Sequence, residues 1–536
     1  MNDDPYDYVI VGGGSAGCVL ANRLSASGRH RVLMVEAGPD DASAWIQIPL
    51  GYGHLFTDAK HNWLYAHEPE PSSGNRAIPE PRGKVLGGSS SINGLIYIRG
   101  QREDFDHWRQ LGNTGWGFDD VLPYFRRSEG NARGGDDLHG ADGPLKVSDV
   151  PSPHPLCEAF MTAAERLGHL RRDDFNGREQ DGFGYPQLTA HRGRRSSAAT
   201  AFLPPDVRRR RNLEIVTGAL AARITLDGKR ATGIDYRYGG RKIHAAAARE
   251  VILAAGAINS PQLMQLSGLG PAGHLRQHGI PVHADIGGVG ANLQDHYNAR
   301  LVYRINKPWT LNDVVRHPVR GAAAVLDYAV RGKGLIGMGA AYVAGFLKSG
   351  PEVATPDIQT SLALYSTEKV GQPLHPYSGV SLVVRILRPQ SRGSVMVTSP
   401  DPTVAPAIKA NFLTAPRDAE ALISGLKQVR AIVSTEPMAQ YVTEEIYPSR
   451  GVTTDADWAD YIRTRGGTSF HPVGTCRMGT DERAVVDPRL RVRGVAGLRI
   501  ADASVMPVIV SGNTNAPAIM IGEKASDMIL EDAAKS

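Results

Sequence analysis

Cysteine is scarce in this chain of 536 residues. Its three cysteines, Cys18, Cys157 and Cys476, lie far apart and form no CxxC pair. That excludes a disulfide framework and a cysteine zinc site, and it fits a reducing compartment. Long apolar runs are also missing, and none reaches the roughly 18 residues of a membrane span. The opening residues Met1-Asn2-Asp3-Asp4-Pro5 are acidic and lack the basic start of a signal peptide. Neither sign of charge dominates: 60 basic side chains face 55 acidic ones, a net charge of +5, which is no nucleic-acid footprint. Glycine and proline, by contrast, are plentiful at 60 and 35 residues, a surplus that implies many tight turns. With 41% hydrophobic and 21% charged residues, the composition is globular rather than disordered. Length alone allows about three to four domain-sized units. These bounds predict a soluble, cytoplasmic, multidomain enzyme.

The first forty residues carry a specific pattern. Tyr8-Val9-Ile10-Val11 is a β-branched run that stops at Gly12-Gly13-Gly14-Ser15-Ala16-Gly17. Cys18, Val19, Leu20, Ala21 and Leu24 then supply an apolar helical face, and a second strand, Arg31 to Val35, ends on Glu36. The order is strand, glycine turn, helix, strand, acid, as in a dinucleotide-binding unit. Gly12 permits the turn, Gly14 lets a pyrophosphate approach the backbone, and Gly17 lets the helix pack on the strand. The helix amino terminus offers amide hydrogens and a positive dipole end to phosphates. Glu36 is placed to accept hydrogen bonds from an adenosine ribose. The same letters satisfy GxSxG, a hydrolase nucleophile elbow with Ser15 as nucleophile. That elbow normally follows several sheet strands and would leave Glu36 without a role. Ser15 is better read as a phosphate-facing hydroxyl or helix-start residue.

Five further blocks carry a family likeness. Pro81-Arg82-Gly83-Lys84-Val85-Leu86-Gly87-Gly88-Ser89-Ser90-Ser91-Ile92-Asn93-Gly94 and Gly256-Ala257-Ile258-Asn259-Ser260-Pro261 come first. Phe470-His471-Pro472-Val473-Gly474, Ile500-Ala501-Asp502-Ala503-Ser504 and Ser511-Gly512-Asn513-Thr514-Asn515 follow. In content and order they resemble the glucose-methanol-choline (GMC) oxidoreductases, nearest the choline-dehydrogenase-like and alcohol dehydrogenase subgroup. The resemblance implies an α/β fold, α+β overall. A Rossmann-like FAD-binding domain (1–155, 205–296 and 466–536) would interleave with a substrate-binding domain (156–204 and 297–465) built on an antiparallel sheet flanked by helices. It implies FAD as the dinucleotide. Gly12, Gly14 and Ala16 would line the pyrophosphate, with Ser15 beside them, and Glu36 and Ala37 would meet the ribose. Trp63, Gly83, Gly88, Asn93, Gly94 and Leu95 would sit along the flavin, and the Ala221 backbone near adenine. Asp502 and Ala503 would meet the ribityl chain or pyrophosphate, with Asn513 and Thr514 close by. Some members tether FAD through a histidine where this chain has Ile92, so a noncovalent flavin is expected.

Oxidising an alcohol to an aldehyde or ketone removes a proton from oxygen and a hydride from the adjacent carbon. In such enzymes the flavin takes the hydride and the protein supplies the base. By resemblance, His471 is the general base, Asn513 donates to the substrate oxygen, and Phe470 shapes the pocket floor. An imidazole suits the task because its ordinary pKa leaves it largely neutral at pH 7. Pro517 and the spacing of Ile519, Met520, Ile521, Ala525, Met528 and Ile529 predict a final helix whose amino terminus follows directly on Asn513-Thr514-Asn515. Other features have plainer readings. Arg208 to Arg211 reads as a solvated helix end, Asp295-His296 as no metal site, and Cys476 as a buried thiol. The partners expected are a small alcohol and an electron acceptor, oxygen or a quinone or other carrier. Peripheral association with the inner face of a membrane is compatible with the subgroup. A non-redox FAD-binding lyase of the same family and the Ser15 hydrolase are the alternatives.

Overall fold

The computed structural model describes residues 5–369 and 371–535. Strand β1 (Tyr6–Val11), helix α1 (Ser15–Ser25) and strand β2 (Val32–Glu36) follow the expected order. The strands run parallel, with Tyr8 opposite Val32 and Val11 opposite Val35. Tyr8 to Val11 and all of β2 are buried, which is why both read as continuous apolar runs rather than alternating ones. Gly17 fixes the approach of α1 to β1. A Cβ there would lie 1.9 Å from the Gly12 carbonyl oxygen.

The sheet extends in parallel to Leu213–Thr217 beyond β2 and to Arg241–Leu253 beyond β1. Leu498–Ile500 adds a further parallel strand beside the end of Arg241–Leu253. Only the last part of Arg241–Leu253, from Ala247 on, pairs with β1. The first half of that strand pairs antiparallel with Arg230–Tyr238, which pairs in turn with Leu220–Asp227. The arginine run 208–211 closes a one-turn helix, Pro205–Arg208. Arg208 pairs with Asp41 at 2.9 Å and Arg210 donates to the Asn22 carbonyl at 2.7 Å. The final helix, Asn515–Lys535, packs against α1 and buries Ile519, Met520, Ile521, Ala525 and Ile529.

A second seven-stranded sheet is antiparallel throughout. Its order is Val442–Tyr447, Tyr297–Ile305, Gly379–Ile386, Ile358–Ala363, Val343–Leu347 and Gly182–Gly184. Gly467–Thr468 pairs with the start of Tyr297–Ile305, so the chain touches this sheet once more before returning to the first. Side chains alternate across the pleat. Ala299, Leu301, Leu382 and Val384 join a core with helix Pro416–Val433. Asn298, Arg300, Ser381 and Arg385 face a cavity.

Candidate active site

The cavity holds about 980 Å³ and is walled by residues of both sheets. Every residue predicted for cofactor or substrate lines it. Gly12, Gly14, Ser15, Ala16, Glu36, Ala37 and Ala221 come from the first sheet and its turns. Trp63, Gly83, Gly88, Asn93, Gly94 and Leu95 come from the long segment that follows β2. Phe470, His471, Asp502, Ala503, Asn513 and Thr514 come from the carboxyl-terminal part.

At one end the wall is bare backbone. A Cβ on Gly88 would sit 2.7 Å from the Gly14 Cα, and Gly88 has φ +53°, so the two glycine segments meet without side chains between them. The Glu36 carboxylate accepts from the Gly13 and Gly38 amides, each at 2.8 Å. Burial pushes its pKa up to about 7 against the pull of those amides. Asp502 is equally committed. Its Oδ2 accepts from Gly256 N at 2.8 Å and Ser260 Oγ at 2.6 Å, and its Oδ1 from Ser504 N at 2.8 Å. Its carboxylate therefore pins two turns of the cavity wall. The Ser15 hydroxyl donates to Asn515 Oδ1 at 2.8 Å, a carboxamide that cannot act as the base a hydrolase nucleophile requires.

At the other end two imidazoles meet. His471 Nε2 lies 3.1 Å from Asn513 Nδ2, and His471 Nδ1 lies 3.0 Å from His296 Nδ1. His296 Nε2 lies 3.1 Å from the Leu387 carbonyl oxygen. A carbonyl only accepts, so His296 carries its proton on Nε2, and its Nδ1 is then the acceptor. His471 must donate from Nδ1, which leaves the Nε2 lone pair facing Asn513 and the cavity. Both rings are neutral. Burial first, and then the Arg385 charge, draws His296 down to about 3. Burial, His296, Arg385 and Arg82 together put His471 well below its ordinary 6.5. Asn513 Oδ1 accepts from Gln359 Nε2 at 3.4 Å, which orients the amide so that Nδ2 points at His471.

Asp295 aligns this pair. Its Oδ1 accepts from the His296 amide at 2.7 Å and the His471 amide at 2.9 Å, and its Oδ2 from the Thr468 hydroxyl. Phe470, between Thr468 and His471, takes φ +66°, an unfavourable region for a bulky residue. Thr468 Oγ1 accepts from its amide at 2.8 Å, Arg82 donates to its carbonyl at 2.9 Å, and its ring packs on Phe56 at 5.3 Å. His67, Glu80 and Asp295 also place donor atoms within 4.8 Å of one another. There Glu80 meets His67 at 3.1 Å and Arg82 at 3.6 Å. Burial and the Glu80 charge raise Asp295 to about 7.

The GMC oxidoreductase profiles match residues 6–298 and 389–522. The chain belongs to the GMC oxidoreductase family. The family's enzymes are FAD-binding flavoproteins, with alcohol and choline dehydrogenases among them. This GMC oxidoreductase is 42% identical to an oxygen-dependent choline dehydrogenase of Rhizobium etli, over 98% of this chain and 95% of that protein. It is 41% identical to an alcohol dehydrogenase [acceptor] of Pseudomonas putida, over 98% and 96%. Among solved structures it resembles pyridoxine 4-oxidase from Mesorbium loti, with TM-score 0.89, 31% identity and coverage of 97% and 98%. It also resembles Aspergillus oryzae formate oxidase, with TM-score 0.92, 29% identity and 99% of each chain.

The cavity fits FAD. The glycine contact at Gly14 and Gly88 leaves room for phosphates against backbone. α1 has no acidic residue in its first turn, so no carboxylate of that turn would repel a phosphate at its positive end. Ile92 lines the cavity and packs with Ile46, Leu55 and Val85. Three residues that sequence reasoning missed as site residues are Asp295, His296 and Gln359. The first two stand together in Asn292-Leu293-Gln294-Asp295-His296, a segment weighed only for metal binding.

The ring assignment is testable without turnover. Nitrogen-15 histidine spectra at neutral pH are expected to show His471 protonated at Nδ1 and His296 at Nε2, assigned with His471→Ala and His296→Phe. The His471 signal should titrate with a midpoint below 6.5; a ring already charged at that pH would contradict the assignment.

Proposed function

We propose that this GMC oxidoreductase oxidises an alcohol to an aldehyde or ketone, with His471 as general base. The observation that carries the reading is the Leu387–His296–His471–Asn513 hydrogen-bond chain, which leaves a neutral imidazole with its Nε2 lone pair toward the cavity. The substrate hydroxyl gives its proton to Nε2, and Asn513 Nδ2 donates to the oxygen as negative charge develops. Bound FAD supplies the acceptor for the two electrons and the carbon-bound hydrogen. Gly12, Gly14 and Ala16 would hold its pyrophosphate, with Glu36 and Ala221 at the adenosine and the segment Gly83–Leu95 at the flavin. Residues 1–155, 205–296 and 466–536 would form the cofactor unit, and the rest the substrate unit. The acceptor that reoxidises the flavin is oxygen or a quinone or similar carrier.

Anaerobic addition of a panel of alcohols to the yellow holoenzyme is expected to bleach it. Colour that persists with every alcohol would favour a lyase. His471→Ala should keep its flavin and lose turnover by about two to four orders of magnitude; near-wild-type turnover would sink the base assignment. Because Ile92 offers no nucleophile, acid precipitation should leave all the flavin in the supernatant. Flavin retained on the pellet would refute noncovalent binding.

We also propose that helix Pro318–Arg331 rests on an anionic membrane surface. None of its residues is buried. Val319, Leu326 and Val330 share one face at exposures of 65% to 75%. Arg320 and Arg331 lie in the same helix and Arg316 and Lys333 just outside its ends, a basic and apolar combination suited to an interfacial helix. Among the described residues no helix is long and apolar enough to cross a membrane. The protein should sediment with phosphatidylglycerol vesicles but not with phosphatidylcholine vesicles, and Val319→Asp with Leu326→Asp should abolish the binding. Equal sedimentation of this variant and the wild type would rule the docking out.

A further inference from the structure

The cavity wall beside His471 and Asn513 carries a guanidinium that the proposed chemistry leaves without a task. Arg385 lines the cavity and is 7% exposed. Its Nη2 donates to Ser361 Oγ at 2.8 Å, and its Nε has no hydrogen-bond partner among the described residues. Burial draws its pKa down to about 10, and among the described residues no anion counters that pull. Buried charges are ordinarily paired. An unpaired fork facing a cavity calls for a ligand that brings the anion with it.

Register places the fork close to the reacting groups. Arg385 stands opposite Gln359 on one neighbouring strand and Asn298 on the other. Gln359 donates to Asn513, and Asn298 donates to the Thr468 carbonyl at 2.8 Å and Ser469 Oγ at 3.0 Å, just before His471. Opposed residues of an antiparallel pair lie about 5 Å apart. The guanidinium is therefore one residue row from the groups that flank the carbinol.

The surrounding charge has the same sign. Arg300, Lys369 and Arg465 also line this part of the cavity. Its carboxylate, Glu368, is taken by Arg465 at 2.7 Å and by the Tyr447 hydroxyl. Ser361, having accepted from Arg385, keeps its own proton to donate, and Ser381 Oγ has no partner among the described residues. A cationic alcohol meets repulsion here, and a neutral one leaves the fork desolvated and unpaired. A carboxylate relieves both faults.

We infer that the substrate is an anionic alcohol, a hydroxy acid whose carboxylate is held by Arg385, with Ser361 and Ser381, close to the carbinol carbon presented to His471. This rests on the alcohol-oxidation reading and names its substrate class.

The test compares lactate with lactamide and isopropanolamine, and mandelate with mandelamide, on the holoenzyme. In at least one series the anion should exceed its amide in kcat/KM by more than about tenfold. Arg385→Met should collapse that ratio toward unity, and Arg385→Lys should retain most of it. Preference for an amide or for isopropanolamine, or a ratio that survives Arg385→Met, would overturn the inference. A second arm uses α-hydroxyisobutyrate, which has no hydrogen on its carbinol carbon and cannot be oxidised. It should perturb the flavin absorbance of the wild type and of Arg385→Lys but not of Arg385→Met. If it does so while no alcohol bleaches the flavin, the anion site stands and the oxidation reading falls. If it perturbs neither wild type nor variant, the anion site falls whatever the turnover.

Discussion

One oxygen of Asp295 accepts the backbone amides of both His296 and His471. His471 lies 176 positions from Asp295 and its ring 175 from that of His296, so a carboxyl-terminal loop is tied to a strand entrance through this one oxygen. Without a shared acceptor the two rings would have no common reference. With one, their Nδ1 atoms meet at 3.0 Å, and the Leu387 carbonyl at His296 Nε2 sets the proton order along the chain. The carboxylate is buried, so water does not compete for it and the bonds it accepts are strong. The left-handed backbone at Phe470 follows from the same arrangement, since the chain must turn sharply to bring the His471 amide back to Asp295.

Desolvation does much of the chemical tuning around this clamp. It lowers both histidines, raises Asp295 and Glu36, and leaves Arg385 charged at a cost on the order of several kcal/mol. A protein carries such a charge when a ligand or a function offsets it. The neutral state of His471 and the unpaired state of Arg385 are two results of one dry compartment.

Much of the nucleotide half is legible in the sequence. Gly12, Gly14 and Gly17 answer to backbone geometry, and such demands survive as fixed spacing. The apolar runs of β1 and β2 are legible for the same reason, being buried on both sides. The antiparallel meander before Leu253 is not, because its exposed strands carry weak alternation and only the buried end stands out. Asp295 and His296 sit in a short polar segment whose partners are remote in sequence, so their letters suggest a ligand pair and nothing about a clamp. Arg385 lies within Val383-Val384-Arg385-Ile386-Leu387. There it reads as an interruption of a strand, and its meaning depends on Gln359 and Asn298 from two other strands. His471 and Asn513 stand out only through the family likeness.

The pleat of the second sheet has an evolutionary consequence. Ala299, Leu301, Leu382 and Val384 on one face are packed against helix Pro416–Val433, while Asn298, Arg300, Ser381 and Arg385 on the other meet the cavity. Because the two sets alternate along the same strands, exchanges in the second set leave the packing of the first untouched. Selection can therefore redraw what this enzyme accepts, one alternate residue at a time, with little of the mutational load that usually accompanies a change inside a protein.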